Sequence, residues 1–276
     1  MKLIYAREPM PLVVPRSIFL MGPTPRSEEV PSWRPTALRL FRMLSFDGTI
    51  FIPEDRPDPD GVSRYRGSYD DQIEWEREAL KRASVKLVWL PRDLATMPAF
   101  TTNIEWGMLW DSGQIVFGAP DDAPKTAYLR WYAALGAVPE CATLPDTIAS
   151  SLALLDTFER QDELCVFCRI AHEDSRGQVE QQLDQSVLFE PLGPVVPGHK
   201  LVVPRLHVAS AADNPGVAAE AFRDAAEYVR REHLQANLIT SVGRDATQSV
   251  FHLHIHVVPR YAGDHVQLPW SDQQRS

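Results

Sequence analysis

Residues 251–260 read FHLHIHVVPR, and this run limits the fold more than any other stretch of the chain. In a strand, successive side chains point to opposite faces. His252, His254 and His256 therefore share one face, and Leu253, Ile255 and Val257 share the other. The apolar face needs a covered side and the imidazole face an open one. We expect a strand over Val250–Val258 in a sheet that buries only one of its faces at this point. A neutral imidazole has one free ring nitrogen near pH 7, so a row of three suits nucleophilic, acid–base or metal chemistry.

A chain of 276 residues has room for two domains. Its formal net charge of -9 gives no concentrated basic surface, which argues against nucleic acid as a partner and leaves small nucleotides open. Three cysteines do not make a disulfide framework. No apolar run reaches the ~18 residues of a membrane helix. The first twenty residues lack the apolar centre of a signal peptide. The expectation is a cytoplasmic enzyme with no membrane partner.

Strand-like runs at Ser17–Met21, Gly48–Pro53, Val85–Leu90 and Gln114–Phe117 alternate with helical spacing at Thr36–Met43, Asp71–Arg82, Thr102–Trp110, Thr126–Leu135 and Asp146–Phe158. Asp55–Tyr65 is rich in Pro, Asp and Gly and reads as a loop. Strands separated by helices predict an α/β domain with a parallel sheet. After about residue 160 the pattern changes. Ser186–Glu190, His199–Val203 and Leu238–Val242 read as strands and Ala218–Leu234 as a helix, which predicts an α+β domain with an antiparallel sheet. The boundary falls between about Leu155 and Cys165, giving domains over residues 1–155 and 160–276.

Around the histidines, Pro197-Gly198-His199-Lys200-Leu201-Val202-Val203-Pro204 with His207, then Gln248-Ser249 before the run and Pro259-Arg260 after it, form a set of separate motifs. Over roughly 110 residues the chain resembles the histidine-triad (HIT) superfamily of nucleotide hydrolases and transferases. The resemblance implies that His254 attacks the α-phosphorus of a nucleotide and carries a nucleotidyl intermediate. It implies that His252 and His256 orient His254 and stabilise charge, and that His199 supports them from a neighbouring strand. Gln248 and Ser249 would donate to the phosphate, and Trp270 would complete the substrate contacts. Ser241 falls where a family asparagine often faces the site. The third triad position is His, not the Gln of the nucleotidyl-transferring branch, which favours hydrolysis.

Cys165-Val166-Phe167-Cys168 opens this half as a CxxC, which alone fits a redox pair or two core thiols. The resemblance implies a structural zinc on Cys165, Cys168, His207 and His252, a four-ligand set of the kind tetrahedral zinc takes.

In the first half, SIFLM runs into Gly22-Pro23, a turn where backbone N–H groups can approach a ligand. Tyr69-Asp70-Asp71-Gln72-Ile73-Glu74-Trp75-Glu76 follows, and then Thr101-Thr102-Asn103-Ile104-Glu105-Trp106-Gly107. Glu105 is expected in the first turn of a helix at the carboxyl end of the sheet, where α/β proteins bind ligands. Together these runs resemble the nucleoside 2-deoxyribosyltransferase-like family over roughly residues 15–140. The resemblance implies that Glu105 attacks C1′ of the sugar, that Asp70 or Asp71 binds the sugar or protonates the leaving base, and that Tyr69, Asn103, Gly22 and Pro23 contact the substrate. Ser84 stands where those transferases carry an aspartate.

The reading is a bifunctional enzyme of nucleotide metabolism, expected to act on small nucleotides and nucleosides as a homo-oligomer, most simply a dimer. The alternative is a HIT hydrolase whose first domain only binds nucleotide, as sensor or scaffold.

Overall fold

The computed structural model describes residues 1–11, 14, 16–27, 29–58, 67–173 and 178–267. The chain divides into two compact units, Met1–Arg160 and Gln161–Ser276. Trp270 lies outside the described residues.

The first unit runs β1 (Lys2–Tyr5), β2 (Ser17–Met21), α1 (Arg34–Met43), β3 (Thr49–Ile52), α2 (Tyr69–Arg82), β4 (Val85–Trp89), α3 (Phe100–Leu109), β5 (Ile115–Gly118), α4 (Ala127–Leu135), β6 (Glu140–Cys141) and then α5 (Leu144–Leu164). Its six strands lie in the order β1-β3-β2-β4-β5-β6, and every pair is parallel. Both faces are covered, which is why SIFLM and VKLVW are buried throughout rather than alternating. Phe19, Phe51, Val88 and Phe117 pack against Trp75 of α2, Trp106 of α3 and Leu129 of α4. Ile18, Leu20, Ile50 and Leu87 pack on the opposite side against Phe41 of α1 and Ile148 of α5. From β2 the chain moves to β3 on one side, then returns to β4 on the other. The carboxyl ends of β2 and β4 thus flank a topological switch point, the place where open α/β sheets bind ligands. The sequence reading has no counterpart to β1, a four-residue strand at the sheet edge beside β3 whose first residue is exposed.

The second unit continues with α6 (Val166–Glu173), β7 (Gln181–Gln182), β8 (Ser186–Phe189), β9 (Lys200–Pro204), α7 (Pro215–Arg231), β10 (Ala236–Ile239) and β11 (Ile255–Pro259). Its sheet has the order β10-β11-β9-β8-β7, antiparallel at every pair. Asn214 caps α7 by accepting from the Val217 amide. That helix lays Val217, Ala221, Ala225 and Tyr228 on Leu188, Val202, Leu253, Ile255 and Val257. Ile170 and Ala171 of α6 cover Val187, Phe189, Leu201 and Val203 on the other face.

The histidine strand is shorter than its alternation predicts, starting at Ile255 rather than Val250. Ile255 pairs with Val202, so the next steps of the ladder would fall on Val203 and Pro204. Proline has no N–H to give, and the Pro204 carbonyl accepts from His252 Nε2 at 2.9 Å. Leu253 and Ile255 are nevertheless in the core, so the alternation of sides survives past the end of the ladder.

Candidate functional site

The second unit gathers the imidazoles. His254 Nδ1 is 2.7 Å from the His252 carbonyl. A carbonyl only accepts, so Nδ1 carries the proton and Nε2 keeps its lone pair. Thr240 Oγ1 donates to the His254 carbonyl at 2.8 Å and fixes the backbone at that residue. The Val195 amide donates to His199 Nδ1 at 3.2 Å. His199 therefore carries its proton on Nε2, which is 2.9 Å from His256 Nδ1, and His256 holds its own proton on Nε2. Its ring centroid is 5.1 Å from that of His254. Burial, with His254 and His199 adding, pushes His256 down to about 4. Burial also holds His254 and His199 below the usual histidine range. All three rings are thus neutral at pH 7, with one unprotonated nitrogen free at His254. Phe167 of α6, which no motif singled out for this role, stands edge-on to His254 at 5.3 Å and to His252 at 6.1 Å.

His252 does something else. Its Nε2–H is spent on Pro204, so the lone pair on Nδ1 faces Cys165 Sγ at 3.4 Å and Cys168 Sγ at 3.3 Å. His207 Nδ1 is 3.1 Å from Cys168 Sγ. One ligand atom from each of these four residues lies within 4.8 Å of the others. Hydrogen bonding from Cys168, then from His207, holds the Cys165 thiol far below its ordinary range. A nitrogen lone pair aimed at thiolate sulfurs is repulsive until a cation sits among them, and the donor set could hold a metal ion.

Gln248 departs from its expected role. Its amide donates to the Ala209 and Val250 carbonyls at 2.6 and 3.1 Å and accepts from the Gly243 amide at 2.9 Å. It is buried and braces the loop before the triad, with nothing left over for a phosphate. Ser249 is exposed, and Ser241 is half-buried just past β10.

In the first unit, the switch point is organised by Arg34 at the start of α1, a residue that no sequence motif indicated. It is 1% exposed. Its guanidinium donates to the carbonyls of Leu20, Gly22 and Pro23, and to Glu54 at 2.6 Å. Gly22 has φ +153°, and a Cβ there would sit 2.2 Å from the Trp89 carbonyl oxygen, so only glycine lets β2 end this close to β4. Glu105, on α3, makes no hydrogen bond or ion pair among the described residues. Burial, with the charge of Glu76 adding, pushes its carboxyl up to about 7 against the pull of Arg34. Glu76 is also raised by burial, and Gln72 Nε2 donates to it at 2.6 Å.

The acid facing Glu105 is therefore Glu76, on the inner face of α2. Asp70 and Asp71 sit in the exposed first turn of that helix, and Asp71 lines a groove with Arg7, Trp75 and Arg82. Tyr69 is likewise exposed. Asn103 accepts from Arg92, and residues two apart on a helix point to different sides, so it turns away from Glu105. Ser84 precedes β4 and bonds Ser17 at 3.0 Å. Both stand at the amino ends of their strands, the opposite end of the sheet from Glu105, so Ser84 has no bearing on base recognition there.

Two family models match the chain: the HIT domain at residues 173–263, and the nucleoside 2-deoxyribosyltransferase-like family at residues 15–123. A HIT-like protein of Saccharolobus solfataricus is 33% identical over 37% of this chain and 77% of its own length. The Hit protein of Bacillus subtilis is 30% identical over 39% of this chain and 79% of its own. An adenosine 5′-monophosphoramidase of Danio rerio is 32% identical over 44% and 75%.

Proposed function

The chain belongs to the histidine-triad family through its second unit and joins to it a nucleoside 2-deoxyribosyltransferase-like unit, and from that premise we propose a bifunctional enzyme of nucleotide metabolism. The second unit hydrolyses a nucleotide phosphoramidate or phosphoanhydride. His254 Nε2 attacks the α-phosphorus, an N–P bond forms, and the bond to the leaving group breaks. The leaving group departs with the electron pair and takes up a proton from solvent. The Nε2–H of His256 donates to the phosphoryl oxygens as charge develops. Water then cleaves the N–P bond and releases a nucleoside monophosphate. The observation that carries this reading is the hydrogen bond from His254 Nδ1 to the His252 carbonyl, because it leaves Nε2 unprotonated. The relative from Danio rerio, named for hydrolysis of an adenosine phosphoramidate, supports the substrate class.

A zinc ion on Cys165, Cys168, His207 and His252 would fix the triad segment against α6 and leave the phosphorus chemistry to His254. Cys141, Cys165 and Cys168 form no disulfide among the described residues, which fits the cytoplasm.

In the first unit, the Glu105 carboxylate attacks C1′ of a nucleoside or nucleotide, and the C1′–N bond breaks. The base leaves with the pair and takes up a proton, and water or a second base then opens the glycosyl ester. An unpartnered, half-buried carboxylate at the switch point supports this over a binding-only unit. No helix among the described residues is long and apolar enough to cross a membrane, and the partners are small nucleotides rather than nucleic acid.

The chain self-associates through α3 and α4. Phe100, Ile104, Met108, Trp131 and Leu135 are each 59–71% exposed there. Together they offer uncharged surface approaching the ~800 Å² that one partner contributes to a standard interface. Sedimentation should give a dimer for the wild type and a monomer for Met108→Asp with Leu135→Asp.

The test of both activities is mass spectrometry of products from nucleoside phosphoramidates, dinucleotides and monophosphates. Wild type should yield monophosphate and free base. His254→Ala should lose the first product from phosphoramidates, and Glu105→Ala the second. Base release unaffected by Glu105→Ala would leave the first unit as a binding module.

A further inference from the structure

Between α3 and α4, on the side of α3 turned away from Glu105, lies a cavity of about 450 Å³. That size is within the range of small-molecule pockets. Asn103, Trp106, Gly107 and Trp110 face it from α3 at helical spacing, and Tyr128 and Tyr132 from α4. The rings are set against one another, with Trp110 and Tyr132 centroids 5.0 Å apart and Tyr128 and Tyr132 centroids 5.2 Å apart. Gly107 leaves the cavity open: a Cβ built there meets nothing within 4 Å.

Two polar groups of this wall lack full partners among the described residues. Arg92 is 7% exposed, yet among the described residues its guanidinium donates only to the Lys125 carbonyl and the Asn103 amide oxygen, both uncharged. Its Nε, and Nε1 of the 3%-exposed Trp106, are buried donors with no partner among the described residues. A buried cation without a counter-charge is costly. Lys125, at the mouth, adds an ammonium that makes no ion pair among the described residues. Aromatic walls around a cavity of this size suit a planar heterocycle, which stacks on Trp and Tyr rings. An uncompensated guanidinium with a neighbouring ammonium suits a phosphate.

We propose that the α3–α4 cavity binds a nucleoside monophosphate, its base against Trp106, Trp110 and Tyr132 and its phosphate toward Arg92 and Lys125, at a site separate from Glu105. This site does not depend on Glu105 being a nucleophile. It stands on the opposite face of the same helix, so its occupancy bears on the helix that carries that residue.

The probe is 8-azidoadenosine 5′-monophosphate, photolysed with the full chain, with adducts located by peptide sequencing in the mass spectrometer. Saturable adducts on Trp110, Tyr128 or Tyr132 are expected. Gly107→Leu fills the cavity from a position where the fold has room, and should cut those adducts at least about tenfold, equivalent to ~1.4 kcal/mol of lost binding. Adducts near His254 should be unchanged in the same sample, and a circular-dichroism melt of the variant that keeps the wild-type transitions reports that the first unit is folded. The uncharged 8-azidoadenosine should label the α3–α4 residues at least about tenfold less than the monophosphate. The proposal fails if those residues stay unlabelled at concentrations that saturate the His254 site, if Gly107→Leu labels like wild type, or if the nucleoside labels as well as the monophosphate.

Discussion

Glu105 and Glu76 show how two identical side chains acquire different duties from their surroundings. Glu105 has no hydrogen-bond partner among the described residues, whereas Glu76 is held by Gln72, itself bonded to the Pro53 carbonyl and to Arg7. A nucleophile must be ionised. With its carboxyl pushed up to about 7, Glu105 is protonated below that pH, and as the proposed nucleophile it would be active above it. The kcat/KM for base release should therefore rise with pH through about 7. The groups that set this midpoint are burial, Glu76 on α2 and Arg34 on α1. Glu76→Gln removes the like charge, so the rise should move to lower pH; a profile that stays in place would separate Glu76 from the site. Glu105→Ala should lower base release on the order of 10⁴-fold, as loss of a covalent nucleophile does. Glu105 was legible because it sits within a short motif after a strand. Glu76 was not, because it lies in a helix stretch with four acids that reads as a solvated face. Only the phase of α2 against α3 distinguishes it from Asp70 and Asp71.

At the scale of elements, the alternation in FHLHIHVVPR located the imidazole side and the core side of the triad segment, but it could not reveal that the ladder stops at Ile255. That limit is set by Pro204 on another strand, and by the demand of His252 for the Pro204 carbonyl. Gln248 shows the same limit: its neighbours in sequence point to a ligand contact, while its partners Ala209 and Gly243 belong to loops that only folding brings together. Gln248→Ala should leave buried backbone groups unpaired and cost about 1–3 kcal/mol, read as a lower urea midpoint at unchanged m-value. A metal ion held by Cys165, Cys168, His207 and His252 would tie α6 to the triad segment. We expect one zinc per chain by plasma mass spectrometry, and none in Cys168→Ser. Even about 2 kcal/mol of metal-derived stability corresponds to roughly 10 °C in the Tm of a domain this size, so calorimetry of Cys168→Ser or of chelated wild type should show one early transition. A metal-free wild type of unchanged Tm would return the CxxC to a pair of core thiols.

For the whole molecule, the change from alternating strands and helices to a strand-rich second half was readable from hydrophobic period alone, and it corresponds to the parallel and antiparallel sheets. What that period cannot carry is how the two chemistries relate, and substrate logic supplies an answer. Hydrolysis at His254 as proposed would release a nucleoside monophosphate, and a nucleoside monophosphate holds the C1′–N bond that Glu105 would break. If the two act in series, a nucleoside phosphoramidate supplied alone should yield free base after a lag during which monophosphate accumulates. His254→Ala should then abolish base release from the phosphoramidate while leaving base release from added monophosphate intact. Glu105→Ala should do the reverse, stopping at monophosphate. Each variant thus controls for the folding of the other site, and mixing the two should restore base release because the intermediate is free to diffuse. Should monophosphate prove inert at the first unit while a nucleoside is cleaved, the series is broken: the two sites would then serve separate substrates, and the cavity between α3 and α4 would be the place in that unit where the monophosphate is held rather than consumed.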